Sequence, residues 1–247
     1  MNNHFKIIIP FFNVEQWARK CLISVKLQNY ENYQCVLVDD MSTDNSVNVI
    51  KEVIGNDKRF TLIENTQKKY ALRNIYEAIQ HSKPEKDDII VTLDGDDWLF
   101  NRGVLKKLNQ VYEDSKCWIT YGSYVEYPSK SRGKFSRKIS EHIINQNSFR
   151  ENKWTSSHLR SFKYFLWNNI NKQDLLDVNK QFYRMAWDLS FMFPMLEMAG
   201  DRSCFIEDIL YVYNLSNPIN DHKIDNRLQV KTENAIRLKN KYERLER

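Results

Sequence analysis

The chain has 247 residues, 42% apolar and 28% charged, with 37 Lys and Arg against 32 Asp and Glu for a formal charge of +5. This composition excludes disorder as the main state. No stretch approaches the ~18 uninterrupted apolar residues of a membrane-spanning helix, which leaves at most peripheral contact with a membrane surface. Met1–Lys6 is polar and only three isoleucines follow before Pro10, which is short of an export signal. The cysteines (Cys21, Cys35, Cys117, Cys204) are widely spaced with no C-x-x-C pair, so reduced thiols and a cytoplasmic location are expected.

Lys6–Ile9, ended by Pro10, reads as a buried strand, and Glu15–Leu27 as a helix with Trp17, Cys21, Ser24 and Val25 at helical spacing. The pattern repeats with strand Cys35–Val38, helix Val47–Ile54, strand Phe60–Ile63, a helix bearing Ala71, Ile75, Ala78 and Ile79, and strand Ile89–Leu93. Strands alternating with helices predict an α/β, doubly wound, mostly parallel sheet, and continuous apolar strands fit a sheet covered on both faces. Further on, Val104–Tyr112 predicts a helix and Trp118–Tyr127 a longer strand. Lys130–Lys138 reads as a basic, mobile loop, and helical patterns return around His158–Phe165 and Leu189–Met198. Ser203–Ile206 and Ile209–Tyr213 read as two short strands. Ile224, Leu228, Lys231, Ala235, Leu238, Tyr242 and Leu245 form a heptad seam in a C-terminal amphipathic helix over 223–247, which either packs back on the domain or joins a homodimer.

Two acidic clusters stand at strand carboxyl ends, where ligands of open α/β sheets bind: Asp39-Asp40, and Asp94 with Asp96-Asp97 across Gly95. Carboxylates crowded on one edge raise each other's pKa, and a divalent cation relieves that cost. Hard oxygen donors favour Mg²⁺ or Mn²⁺, held partly by substrate phosphates. Gly95 would let a ligand approach the backbone. These residues predict a metal–diphosphate site on the sheet edge.

Ile7–Asn13, Gln28–Ser46, Arg73-Asn74 and Leu93–Leu99, in that order and spacing, resemble the motifs of the family 2 glycosyltransferases, a GT-A fold, with Asp94-Gly95-Asp96 matching the family's DxD motif. Trp187-Asp188-Leu189 is similar to the family's late acidic motif beside the acceptor. The resemblance implies one domain over 1–222, with 1–100 the nucleotide-binding half and 101–222 the acceptor half. It implies a nucleoside diphosphate sugar as donor, a UDP-sugar first, and a glycan or other hydroxyl acceptor. It further implies that Asp40 accepts the base imide N–H, Asp39 supports it or the ribose, and Pro10, Phe11 and Phe12 line the same pocket. Arg73 would meet the diphosphate, and Asp94 and Asp96 the metal. Asp188 would be the general base of an inverting single displacement, with Glu207 and Asp208 as substitutes.

Several positions depart from that pattern. Met41 stands where relatives often carry Gly, and Asn65–Tyr70 lacks the usual glycine, offering Lys68-Lys69 instead. Asn214-Leu215-Ser216 replaces an Arg-x-His sequence, so His222 becomes a candidate metal ligand. His158, in a segment with Arg160, and Trp187 are candidates for the acceptor side. Competing readings are an inactive nucleotide- or sugar-binding module and a nucleotidyltransferase, although Pro10–Asn13 is no Gly-rich phosphate loop. A nucleic-acid partner is disfavoured by the small excess charge and the lack of an RNA-binding motif.

Overall fold

The computed structural model describes residues 2–114, 116–219 and 225–246. Its centre is β1 (Phe5–Phe11), flanked in parallel by β2 (Tyr33–Asp39) and β4 (Ile89–Thr92), with β3 (Phe60–Glu64) outside β2. Alternate residues of these strands serve opposite faces. Ile7, Ile9, Cys35, Leu37 and Val91 enter one apolar cluster, whereas Ile8, Val36, Val38 and Ile90 enter the other. A strand buried on both faces has no polar side, which is why these segments read as continuous apolar runs. Helices α1 (Glu15–Lys26), α2 (Ser46–Ile54) and α4 (Val104–Asp114) cover the first face; α3 (Tyr70–His81), the short α5 (Glu141–Asn145) and α6 (Tyr164–Asn168), and α7 (Trp187–Ala199) pack on the second apolar cluster.

Beyond β4 the sheet becomes mixed. Its full order is β3-β2-β1-β4-β7-β6-β8-β5, where β5 is Trp98–Leu99, β6 Ile119–Tyr127, β7 Arg160–Lys163 and β8 Ser203–Asn214. The expectation of a mostly parallel sheet holds for β1 to β4 and for the β6–β8 pair, while β7 runs antiparallel to both β4 and β6 and β5 antiparallel to β8. The helix predicted around His158–Phe165 is instead strand β7 followed by the single turn of α6. Four residues cannot separate a period of 2 from one of 3.6, and pairing on both sides decides for the strand. Ser161 is tolerated at its centre because its hydroxyl lies 2.5 Å from that of Thr120 and 3.0 Å from that of Tyr112.

Ser203–Ile206 and Ile209–Tyr213 belong to one strand, whose pairing with β6 shifts register around Ser123. Glu207 and Asp208 fall at that irregularity and face solvent, Asp208 pairing with Lys107 at 2.7 Å. The 130–138 segment folds back on β6: the Ser136 hydroxyl is buried and donates to the Gly122 carbonyl at 2.5 Å.

The C-terminal helix, α8 (Asn226–Arg237), starts on Asp225, whose carboxylate accepts the Leu228 amide at 2.9 Å. It buries Thr232 and Ile236 and stops at Arg237, so the heptad seam is split. Leu228 and Leu238 are 37% and 87% exposed, whereas Tyr242 and Leu245 pack on the second apolar cluster. Among the described residues no helix is long and apolar enough to cross a membrane.

Candidate active site

The parallel register places Phe11 beside Asp39 at the carboxyl end of the sheet. The backbone of β1 then ties both acidic clusters together, since the Asp40 amide donates to the Phe11 carbonyl at 2.9 Å and the Gly95 amide to the Pro10 carbonyl at 3.2 Å. The two clusters predicted to share an edge do share one.

Gly95 has a different reason for lacking a side chain than ligand approach. A Cβ built there would lie 2.5 Å from Phe11 Cβ and 3.2 Å from the Pro10 carbonyl, so the neighbour is the protein's own β1. Gly95→Ala should therefore push the acidic loop off β1. Overpacking of this kind costs about 1–3 kcal/mol, so a urea midpoint equal to wild type would show that the loop yields freely.

Asp40 is a latch between β2 and α3. The amides of Lys69 and Tyr70 donate to its two carboxylate oxygens at 2.7 and 3.0 Å, Asn65 Nδ2 lies at 3.4 Å, and Lys68 Nζ at 3.5 Å. Among the described residues the Asp39 carboxylate accepts from the Ser42 amide alone, at 3.0 Å. Both arrangements depend on left-handed backbone: Met41 has φ of +65° and Tyr70 of +63°. At the first of these positions the family resemblance leads one to expect glycine, and the second ends the segment that lacks one. The turns persist without it, at a steric cost of about 1–2 kcal/mol each. Of the cations on α3 and its approach, Lys69 and Arg73 both pair with Glu77, at 2.7 and 2.8 Å.

The second acidic cluster is organised from β8. The buried Asp97 accepts from Tyr211 Oη at 2.5 Å and from the Asn214 amide at 2.7 Å. Burial, with Asp96 and Asp94 nearby, holds its carboxyl well above the usual range. Asp96 accepts from Asn217 Nδ2 at 2.7 Å, and Asn214 Nδ2 donates to the Asp96 carbonyl at 3.2 Å. Asn214 and Asn217 thus brace the loop from the segment where the Arg-x-His sequence is missing. Their bracing role, like that of Tyr211, was not legible in the sequence, because nothing local links residue 96 to residue 217. His222 lies outside the described residues.

His158 sits beside the second acidic cluster. Its ring stacks on Tyr211, centroids 4.4 Å apart and 11° from parallel, and one of its nitrogens falls within 4.8 Å of carboxylate oxygens of Asp94 and Asp97. Burial and the Arg160 charge push its pKa well down, so the ring is neutral. Arg160 Nη2 lies 3.1 Å from Nδ1 and 3.4 Å from Nε2, and because a guanidinium only donates, the ring accepts from it. Among the described residues the atoms close enough to share one cation are carboxylate oxygens of Asp94 and Asp97 and a nitrogen of His158; Asp96 lies outside that group, and Asp97 already accepts from Tyr211 and Asn214.

Asp188 occupies the first turn of α7, half-buried, with Arg160 Nη1 at 3.6 Å. Burial raises its pKa and Arg160 opposes the rise. Trp187 is 8% exposed, its ring against Phe191 and under the Arg160 guanidinium, so it packs more than it presents a stacking face. The chain of contacts runs from Asp94 and Asp97 through His158 and Arg160 to Asp188.

The sequence profile described as "Glycosyl transferase family 2" matches residues 6–186. The chain belongs to glycosyl transferase family 2. It is 24% identical over 227 residues to glycosyltransferase GlyA of Streptococcus pneumoniae, covering 87% of this chain and 31% of that protein. In fold, the family 2 chain is similar to residues 1–349 of S. aureus TarS in complex with UDP-GlcNAc (TM-score 0.68, 16% identity, 90% of this chain and 61% of that one). It is also similar to the mannosyltransferase PcManGT of Pyrobaculum calidifontis in complex with GDP-Man and Mn²⁺ (TM-score 0.61, 18% identity, 90% and 59%). These neighbours establish a GT-A-type fold. The family 2 chain spans between 31% and 46% of the lengths of the first curated relatives it matches.

Proposed function

We propose that the chain transfers a sugar from a nucleoside diphosphate sugar, a UDP-sugar first, to an acceptor hydroxyl with inversion in a single displacement. The observation carrying this reading is the convergence of the Asp94–Asp97 loop and Asp188 on the one pair His158–Arg160. Asp188, kept as a carboxylate by Arg160, takes the proton from the acceptor hydroxyl as that oxygen attacks the anomeric carbon. Asp94 and Asp96 would hold Mn²⁺ or Mg²⁺, which when bound neutralises charge on the departing diphosphate.

Because both Asp40 oxygens accept backbone amides, the base-recognising role expected of it passes to Asp39, with Phe11 and Phe12 along the pocket. TarS and PcManGT, bound to UDP-GlcNAc and to GDP-Man with Mn²⁺, support a metal-assisted nucleotide-sugar site. Four cysteines outside any disulfide suit a reducing compartment, and the cytoplasm is the proposed setting.

The test is release of nucleoside diphosphate from a panel of UDP- and GDP-sugars with Mn²⁺, Mg²⁺ or chelator. Wild-type protein should turn over one donor slowly without acceptor, and chelator or Asp96→Ala should abolish the signal. The reading fails if no nucleotide sugar is turned over or protects the fold against heat in the presence of metal.

A further inference from the structure

Arg160 is 3% exposed, yet neither its Nε nor its Nη1 has a hydrogen-bond partner among the described residues. A buried guanidinium normally has its donors filled, because each unfilled one carries a desolvation penalty. Only Nη2 is used, on His158 at 3.1 Å; Asp188 at 3.6 Å from Nη1 is too far for a hydrogen bond. The group is held rigidly all the same, on a strand paired on both sides and over the Trp187 ring. Its surroundings are the acidic loop through His158 and the acidic start of α7, so it lies between the residues assigned to the departing and attacking ends of the reaction.

Of the other cations near the sheet edge, Arg73 and Lys69 pair with Glu77, Lys68 faces Asp40, and Arg184 lies over the Tyr70 ring. A nucleoside diphosphate carries more negative charge than one divalent cation neutralises, and a guanidinium matches phosphate oxygens in shape as well as charge.

Building on the proposed glycosyl transfer, we propose that Arg160 is the diphosphate-binding cation of this site, donating its free N–H groups to a phosphate oxygen of the donor and of the departing nucleotide. This assigns to β7 the role that the family resemblance implied for Arg73. In the ligand-bound site the guanidinium is shared between phosphate and Asp188, so the diphosphate and the carboxylate are kept apart by one fixed cation.

Calorimetric titration of UDP and of uridine, each with Mg²⁺, into wild type, Arg160→Met and Arg160→Lys tests the assignment. Arg160→Met should bind UDP about 10–100-fold more weakly, the worth of hydrogen bonds to a charged group, while uridine affinity stays at the wild-type value. Arg160→Lys, which keeps the charge without the planar fork, should fall between them and serves alone if the Met variant does not fold. Inorganic pyrophosphate competing against UDP should lose potency in parallel. Unchanged UDP affinity in a folded variant overturns the proposal and assigns the free N–H groups to an acidic acceptor. Equal losses for UDP and uridine overturn it as a general collapse of the pocket. If wild-type protein binds neither UDP nor GDP, the glycosyltransferase reading itself falls, an outcome distinct from wild-type binding that ignores Arg160.

Discussion

Asp188→Asn is expected to lower kcat by about 10²–10⁴-fold, the usual contribution of a positioned general base, with donor affinity little changed. The amide keeps the size and turn position of the carboxylate but cannot accept a proton. Position alone does not make the prediction; the electrostatics of the group do. Burial raises the Asp188 pKa, Arg160 from β7 lowers it, and Glu233 from α8 raises it slightly. The base works deprotonated, so activity should fall as pH drops through this raised pKa, and the fall should set in above the range of an ordinary exposed Asp. Initial rates measured against pH at saturating donor check both parts. Asp188→Asn should show a low rate with that acid limb gone. A variant within about tenfold of wild type would remove Asp188 from the base role. Glu207 and Asp208 face solvent at the irregularity in β8, with Asp208 paired to Lys107.

Arg150→Met should destabilise the protein by about 3–5 kcal/mol, the usual cost of stranding one member of a buried ion pair. Arg150 and Glu197 are 5% and 0% exposed and meet through two hydrogen bonds of 2.6 and 2.9 Å. Removing the guanidinium leaves a buried carboxylate in the last turn of α7 with, among the described residues, only the Tyr242 amide at 3.0 Å to satisfy it. Arg150 Nη1 also donates to the Ile236 carbonyl at 2.8 Å, so the pair fastens both α8 and the chain beyond it to α7. Urea unfolding should show the loss, and limited proteolysis should cut first within residues 225–246. The double variant Arg150→Met, Glu197→Met should recover most of the stability, since apolar replacement of a whole buried pair is often neutral or better. If the single variant unfolds at the wild-type midpoint, the pair is not what holds the C-terminal segment in place.

The parallel half of the fold was legible because burial on both faces leaves a simple trace. Ile7–Ile9 and Cys35–Val38 are uninterrupted apolar runs stopped by Pro10 and Asp39, and Ile89–Leu93 is broken only by Thr92 before Asp94. The acidic clusters were legible for the same reason, since parallel strands put all their carboxyl ends on one side. The antiparallel strand β7 gave no such trace. β7 is short, carries Arg160 and Ser161, and owes its strand state to pairing with β4 and β6. Gly95 was read as leaving room for a ligand, whereas the room is taken by Phe11, a neighbour 84 positions earlier in the chain. Asp40 was assigned to the nucleobase because its type and place suit an imide N–H; that the amides of Lys69 and Tyr70 fill it depends on the left-handed turn at Tyr70.

By itself the sequence determined the class of protein: an α/β chain whose strands end in carboxylates, with motifs of family 2 in their proper order. Periodicity and strand ends are local properties, set by side-chain alternation and by where apolar runs stop. Only the tertiary structure decided how the charges are matched. It committed Asp40 to the backbone of α3, braced Asp96 and Asp97 from Asn217, Asn214 and Tyr211, and left Arg160 with free donors between His158 and Asp188. A carboxylate or a guanidinium acquires its role from the groups within a few ångströms of it. In this chain those groups arrive from strands and helices far apart in sequence.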